Sequence, residues 1–321
     1  MLKILELFGG IRACSKALER LGIDYECVDY VEIDKYAVKS ANAIYGTNYK
    51  PQDITKWDKD VEVDLIMHGS PCQDFSLAGL GAGGDEGSGT RSSLMYETIR
   101  IVEKLQPKYV VWENVKNLLS DKHKHNFDNY LNTLVKLGYN NYYKVLNSKD
   151  YGIPQNRKRV FTISIRNDID NGYKFPSPIE LKYGIEKFLD KDIDKNLFKI
   201  CPSMNKAVID KKVKLINKNE ICNCITTKKN RWNNEGFVLE ENGEYRFFSN
   251  CERFKLMGFD EEDYLKASKV SPSLEIEKQA GNSIVVNVLE HIFKELFKER
   301  KEKKQRKERY EKMSIFDFIG K

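Results

Sequence analysis

The chain has 321 residues, of which 40% are hydrophobic and 32% charged, a composition typical of a soluble globular protein. Its apolar runs fall far short of the roughly 20 residues of a membrane span, and charges interrupt the first one, so we expect neither a span nor a signal peptide. Seven scattered cysteines predict a cytoplasmic protein with free thiols. The net charge is +6, of which +5 lies in residues 298–321, so this basic tail is best suited to a polyanion.

The first third of the chain alternates short strands with helices, which predicts a doubly wound, mostly parallel sheet of the Rossmann-like α/β class. Strands are predicted at residues 3–8, 25–31, 63–68 and 109–113. Helices are predicted from about residue 13 to Gly22, over 34–45 with Gly46 as its end, and over 283–297. Such strands end at one edge of the sheet, where α/β proteins bind ligands. Six glycines between residues 77 and 95 predict a mobile lid beside that edge.

Glycines and acids near the predicted strand ends indicate a nucleotide-like ligand. Gly9 and Gly10 form the first strand–helix turn, where a ligand can approach the backbone. Glu32 follows about 20 residues later, the place of a carboxylate that holds ribose hydroxyls. Asp53 follows the next break in the pattern and is suited to an adenine amine. Each acid alone could equally be an exposed helix cap, but the glycine turn and the two acids in succession favour a cofactor site.

Four side chains carry the candidate chemistry. Cys72 follows Pro71 in a turn after a short buried strand, which favours a nucleophile over the inert buried cysteine that is more common. Glu113 ends the next strand, where burial would raise its pKa and let it donate a proton. Arg157 and Arg159 lie two residues apart on one face of an extended segment. They are suited to orient that glutamate or to hold a phosphate, although such a cluster alone is usually a solvated surface.

In this order the segments resemble the motifs of the C5-cytosine DNA methyltransferases, of bacterial and phage type. The matching motifs span nearly the whole chain before the tail: Phe8-Gly9-Gly10, Glu32, Asp53, Pro71-Cys72-Gln73, Glu113-Asn114-Val115, residues 155–159, Arg253 with residues 256–259, and residues 279–285. The resemblance implies the class I methyltransferase fold. It implies a catalytic domain over residues 1–173 that resumes at 253–297, a smaller target-recognition domain over 174–252, and the tail from 298.

The family's chemistry implies that Cys72 attacks C6 of a cytosine flipped out of the duplex, while Glu113 holds or protonates N3. The methyl donor is S-adenosyl-L-methionine. Arg159 would orient Glu113 and contact the base, and Arg157 would steady the DNA backbone. The residues implied for the cofactor are Phe8, Gly10, Ile11, Glu32, Ile33, Asp53, Ile54, Pro71, Leu94, Asn282 and Ser283. The residues implied for DNA are Gln73, Ser76, Arg91, Thr226 and Thr227, to which we add Arg231 and Trp232 as candidate groove contacts.

One residue departs from the family's first motif, F-x-G-x-G: Arg12 stands at the second glycine. We expect its side chain to point outward as the helix begins and to leave cofactor binding intact, whereas the competing interpretation is a weakened cofactor site.

Two other functions stay open, namely cytosine-5 methylation of tRNA and DNA binding by a catalytically impaired member of the family. A separate segment of about seventy residues before Arg253 favours duplex DNA over RNA as the substrate. The intact Cys72, Glu113, Arg157 and Arg159 argue against an impaired member. We expect a nucleoid-associated monomer, with double-stranded DNA as its substrate and a cognate restriction endonuclease as a second partner. The irregular cysteine spacing predicts no metal site.

Overall fold

The computed structural model describes residues 1–71, 94–231 and 235–298. Its centre is a six-stranded sheet in the order β2-β1-β3-β4-β6-β5. Neighbouring strands among β1 to β4 are parallel, and β6 pairs antiparallel with both β4 and β5. The predicted α/β class with a mostly parallel sheet is thereby confirmed. The strands are β1 Leu2–Leu7, β2 Tyr25–Val31, β3 Leu65–His68, β4 Tyr109–Val115, β5 Tyr139–Asn147 and β6 Lys158–Arg166.

The central strands are covered by helices on both faces, because their apolar residues alternate between two core clusters. On one face, Ile4 and Met67 pack with helices α1 (Ala13–Arg20) and α9 (Val286–Leu296). On the other face, Leu5 and Ile66 pack with α3 (Met95–Leu105) and α4 (Lys124–Lys136). A ligand can therefore reach polar groups of the sheet only at the edge where the strands end.

The helix predicted at 34–45 is α2, Lys35–Tyr45. The Asp34 carboxylate accepts the N–H groups of the first turn, and Gly46 ends the helix at a φ of 65°. The helix predicted at 283–297 begins only at Val286, because α8 (Ser273–Asn282) ends just before Ser283, whose backbone is extended. Within the described ranges, no helix is long and apolar enough to cross a membrane.

A second, three-stranded sheet in the order β7-β8-β9 follows the central one in the chain. Its strands are short: β7 Leu215–Ile216, β8 Phe237–Leu239 and β9 Tyr245–Arg246. With α5 (Pro202–Ile209) it encloses a small apolar cluster that includes Met204, Val213 and Phe247. Helices α6 (Asn250–Leu256) and α7 (Glu261–Ser268) then lead the chain back to α8. The small cluster agrees with the sparse apolar patterning of this part of the sequence.

Candidate functional site

A cavity of about 520 Å³ opens at the carboxyl ends of β1 to β4 and is bounded on its other side by α8. This is the sheet edge at which the sequence predicts the site. Twelve of the predicted residues line it: Phe8, Gly10, Glu32, Ile33, Asp53, Ile54, Pro71, Leu94, Glu113, Arg157, Arg159 and Asn282. The structure thus brings nine of the eleven candidate cofactor residues and three candidate catalytic residues into one cavity.

Glu32 joins the first two turns of the cavity. Its Oε2 accepts the N–H of Gly10 at 3.0 Å, and its Oε1 accepts the N–H of Asp34 at 2.8 Å. Burial raises the pKa of Glu32 above its ordinary value, while these backbone donors act in the opposite direction. Each carboxylate oxygen has a second lone pair, so Glu32 can still accept from a ligand hydroxyl.

The third turn adds an acid and an apolar surface. Asp53 Oδ1 accepts from the N–H and the hydroxyl of Thr55, and these hydrogen bonds lower the pKa of Asp53. The loop is fixed from behind by Gln52, whose Nε2 donates to Asp29 Oδ1 at 2.9 Å. At the rim, Ile33 exposes 69% of its surface, which suits packing against a flat ring.

Two residues implied for the cofactor do not line the cavity. Ile11 is buried in the core cluster shared with α1 and α9. Ser283 is also buried, and its hydroxyl donates to the carbonyl of Ile284 at 3.1 Å. Both follow a lining residue directly in the chain, so their side chains lie behind the turns that line the cavity.

Arg12 points into the protein, which corrects the expectation that it points outward. The side chain is 2% exposed, with its Nε 3.0 Å from Glu6 Oε1 and its Nη2 donating to Ser15 Oγ at 2.7 Å. The guanidinium also lies 4.6 Å from the ring centroid of Tyr45. Its φ of 60° is the left-handed conformation that glycine adopts without strain, which accounts for the family's glycine here. Arg12 does not line the cavity.

The turn that leads to Cys72 is held by β4. Trp112 Nε1 donates to Ser70 Oγ at 3.0 Å, and Asn114 Nδ2 donates to the Ser70 carbonyl at 3.3 Å. Glu113 lies beside this turn, because a Cβ on Gly69 would be 3.7 Å from Glu113 Oε2. The structure describes the chain up to Pro71 and again from Leu94. The predicted residues that lie outside the described ranges are Cys72, Gln73, Ser76, Arg91 and Trp232, together with the glycine-rich segment.

Glu113 and Arg159 form the ion pair at the centre of the site. Arg159 Nε lies 3.1 Å from Glu113 Oε1, and Glu113 is 8% exposed. The antiparallel pairing of β4 with β6 sets Arg159 opposite Val115, near the end at which Glu113 lies. Burial raises the pKa of Glu113, although the charges of Arg159 and Arg157 oppose the shift. The protonated carboxyl is therefore favoured more than in water.

Arg157 is buried, which corrects the expectation that it contacts the DNA backbone. Only 4% of its surface is exposed. Its Nη1 donates to the carbonyl of Ile225 at 2.9 Å, and its Nη2 donates to the carbonyls of Gly281 and Ser283 at 3.0 and 2.8 Å. The guanidinium thus fastens three segments of the chain together instead of facing solvent.

The candidate DNA residues Thr226 and Thr227 are half-buried and pack on α8. A Cβ on Gly281 would clash with the backbone of both residues, so this close approach requires glycine. Arg253 Nη2 donates to the carbonyl of Thr226, while Arg231 is exposed. Sequence reasoning missed the contact between Gly281 and these threonines, although a glycine inside a helix is itself a signal of close backbone approach.

The C-5 cytosine-specific DNA methylase family matches this chain over residues 2–298. The type II methyltransferase M2.ScrFI of Lactococcus lactis subsp. cremoris is 36% identical over 276 residues, 83% of this chain and 74% of that protein. The type II methyltransferase M.HhaI of Haemophilus parahaemolyticus is 32% identical over 327 residues, 91% of this chain and 93% of that protein. The S. pombe Dnmt2 methyltransferase shares the fold, with a TM-score of 0.74 and 20% identity over 92% of this chain and 98% of that one. This chain therefore belongs to the C-5 cytosine-specific DNA methylase family.

Proposed function

We propose that this cytosine-5 DNA methyltransferase transfers the methyl group of S-adenosyl-L-methionine to a cytosine flipped out of a short double-stranded site. The observation that carries the proposal is the buried ion pair between Glu113 and Arg159, beside the turn that leads to Cys72. Addition of a thiolate to a cytosine ring requires a nucleophile and a carboxyl that readily holds a proton. Transfer of the methyl group also requires a cavity for the cofactor.

The cavity fits the cofactor by the chemistry of its donors and surfaces. The Glu32 carboxylate would accept the ribose hydroxyls, and the Asp53 carboxylate would accept the adenine amine. The exposed side chain of Ile33 would pack against the adenine ring. Bound S-adenosylmethionine supplies an electrophilic methyl group at this edge of the sheet.

The base must leave the stack, because a side chain cannot reach C6 within a duplex. The Cys72 thiolate then forms a bond to C6 while Glu113 donates its proton to N3, so that the ring gains no uncompensated negative charge. The addition leaves a C4–C5 enamine, whose C5 would take the methyl group as the bond between that methyl and the donor's sulfonium sulfur breaks and the donor leaves as a neutral thioether. Transfer of the C5 proton to water, return of the N3 proton to Glu113 and cleavage of the bond between the Cys72 sulfur and C6 would then restore the aromatic ring and release the Cys72 thiolate.

We assign target recognition to residues 174–252 and the return to the catalytic domain to residues 253–297. The separate small sheet and its own apolar cluster support this division. Within the recognition segment, Thr226, Thr227 and the exposed Arg231 are the described candidates for DNA contacts. Arg157 acts as a positioning residue through its three carbonyl acceptors. We expect the enzyme to act as a monomer, alongside a cognate endonuclease where one is present.

The decisive experiment expresses the chain in a host that lacks cytosine methylation and maps 5-methylcytosine in its DNA by conversion sequencing. We expect methylation confined to one short motif, and none with Cys72→Ser or Glu113→Gln. Duplex DNA with 5-fluorocytosine in that motif should retain the wild-type protein as a covalent adduct. Folded protein that leaves DNA unmethylated and methylates tRNA instead would overturn the proposal.

A further inference from the structure

Cys224 is a thiol in contact with two arginines of the cavity, and the family's motifs give it no role. Its sulfur lies 3.3 Å from Arg157 Nη1 and 3.8 Å from Arg159 Nη2. It directly precedes Ile225, whose carbonyl also binds Arg157. Two cationic side chains of the catalytic centre therefore share this one sulfur as an acceptor.

The electrostatic surroundings favour the thiolate form of this residue. Burial raises the pKa of a thiol, but at Cys224 the charges of Arg157 and Arg159 outweigh burial, and the pKa lies below its ordinary value. Cys222 has the opposite shift, because burial raises the pKa of its thiol well above the ordinary value. The groups that act on the Cys224 sulfur are thus the two guanidiniums, with Cys222 as its titratable neighbour and Glu113 beyond Arg159.

We propose that the Cys224 sulfur is a positioning group that holds Arg159 in the orientation in which its Nε pairs with Glu113. Arg159 is then held from two sides, by the carboxylate at Nε and by the sulfur at Nη2. Arg157, fixed by three carbonyls, supplies the rigid neighbour against which the sulfur is set. The inference rests on the proposed roles of Glu113 and Arg159 in catalysis.

The geometry also gives the protonated thiol a different partner. The Ile225 carbonyl lies 3.5 Å from the sulfur and can accept from an S–H group. On protonation, the sulfur changes from an acceptor for Arg159 into a donor to Ile225 and loses its charge. The hold on Arg159 is therefore complete only above the pKa of Cys224 and weakens as the pH falls through it.

The first test titrates the thiol itself and does not depend on catalysis. The difference in absorbance at 240 nm between the wild-type protein and Cys224→Ser reports thiolate formation at this residue. We expect its midpoint below the value of about 8.5 of a free cysteine. In an Arg159→Met background the same difference should titrate at higher pH. An identical midpoint in both backgrounds would show that the contact between sulfur and guanidinium is not formed, and would overturn the proposal.

The second test separates positioning from packing. Cys224→Ala should lower kcat about tenfold, a loss of about 1.4 kcal/mol, and leave the affinity for S-adenosylmethionine within about twofold. Without the sulfur, Arg159 is no longer held against Glu113, so its charge opposes the effect of burial less and the pKa of Glu113 rises further. The alkaline limb of the kcat profile should then move to higher pH by about half a unit or more.

Two further variants complete this test. Cys224→Ser, whose hydroxyl can still accept a hydrogen bond, should recover part of kcat, and Cys201→Ala, at an exposed cysteine, should match the wild type. A Cys224→Ala enzyme that is only less stable, with an unchanged kcat and pH profile, would reduce Cys224 to a packing residue. If the wild-type protein methylates no DNA, the proposed function fails, while the thiol titration still decides the contact.

Discussion

Arg12 forms a buried ion pair with Glu6 and lies two residues beyond Gly10, a glycine that lines the cavity at the sheet edge. Both side chains are almost completely buried, and Ser15 donates to the same carboxylate oxygen at 2.5 Å. The carbonyl of Arg12 in turn accepts the Tyr45 hydroxyl at 2.8 Å. A strained left-handed residue is thus held by side-chain contacts to Glu6 and Ser15 that the family's glycine cannot make.

Replacing Arg12 by glycine should therefore destabilise the protein, although glycine suits the backbone. An unpaired buried Glu6 costs about 3–5 kcal/mol, and relief of the left-handed conformation returns about 1–2 kcal/mol. We expect a net loss of about 2 kcal/mol for Arg12→Gly in urea denaturation. Glu6→Gln combined with Arg12→Gly should recover part of it, because no charge is then left unpaired. The affinity for S-adenosylmethionine should change less than tenfold, since Arg12 does not line the cavity. A single variant as stable as the wild type would contradict this account.

Ile33→Ala should weaken S-adenosylmethionine binding about five- to tenfold in calorimetry, because an apolar surface suited to adenine is removed. Ile209→Ala is the matched control, since Ile209 is also exposed but lies in α5 and does not line the cavity. It should bind like the wild type. Equal affinities for all three proteins would exclude the adenine contact at Ile33.

Gly281→Ala should separate α8 from the segment that carries Thr226 and Thr227, because the added Cβ meets their backbone. We expect a loss of more than about 2 kcal/mol in unfolding free energy, together with weaker DNA binding. Gly243→Ala offers a control with open space around the glycine, where only the positive φ of 84° opposes the substitution. That variant should lose about 1 kcal/mol and keep its affinity for DNA. Similar losses of stability in both variants would contradict the close approach of Gly281 to the backbone of Thr226 and Thr227.

The protein should lose stability as the pH falls below about 6.5, in part through His68. This side chain is fully buried, stacks on Trp112 and shares a hydrogen bond with the Tyr130 hydroxyl. Burial lowers the pKa of His68 from 6.5 to about 3. Between these two pH values His68 binds a proton in the unfolded chain but not in the folded protein. The free energy of unfolding therefore falls by about 1.4 kcal/mol for each unit by which the pH is lowered.

Urea denaturation at pH 7, 6, 5 and 4 measures this slope. His68→Phe, which keeps a ring beside Trp112, should flatten it by about the amount of one proton. His125→Gln, at an exposed histidine, should keep the wild-type slope. A His68→Phe protein with the full slope would place the acid sensitivity in other groups.

The sequence alone predicts the regular elements around the site well, because strong local signals mark them. The helix after Asp34 has a capping side chain at one end and a glycine at the other, and both are readable without the fold. Glu113 and Arg159 could be expected at one site because strand ends meet at the sheet edge. Their pairing itself depends on the antiparallel register of β4 and β6, which residue patterns do not specify.

The orientation of buried side chains could not be predicted, for a physical reason. Arg157 binds backbone carbonyls, and every residue carries one, so its partners leave no trace in the sequence. Arg12 looks like a surface residue until the buried Glu6 is known to face it. In both cases the sequence suggests an arginine that faces solvent or DNA, whereas its guanidinium binds groups inside the protein.

The contacts of Arg157 also determine when the candidate catalytic centre can be completed during synthesis. Its acceptors lie 68, 124 and 126 residues further along the chain. Until the ribosome has produced residues 281–283, Arg157 lacks two of its three carbonyl acceptors. Chains that end before Ser283 therefore lack these contacts, and we expect DNA modification only from molecules that extend beyond it.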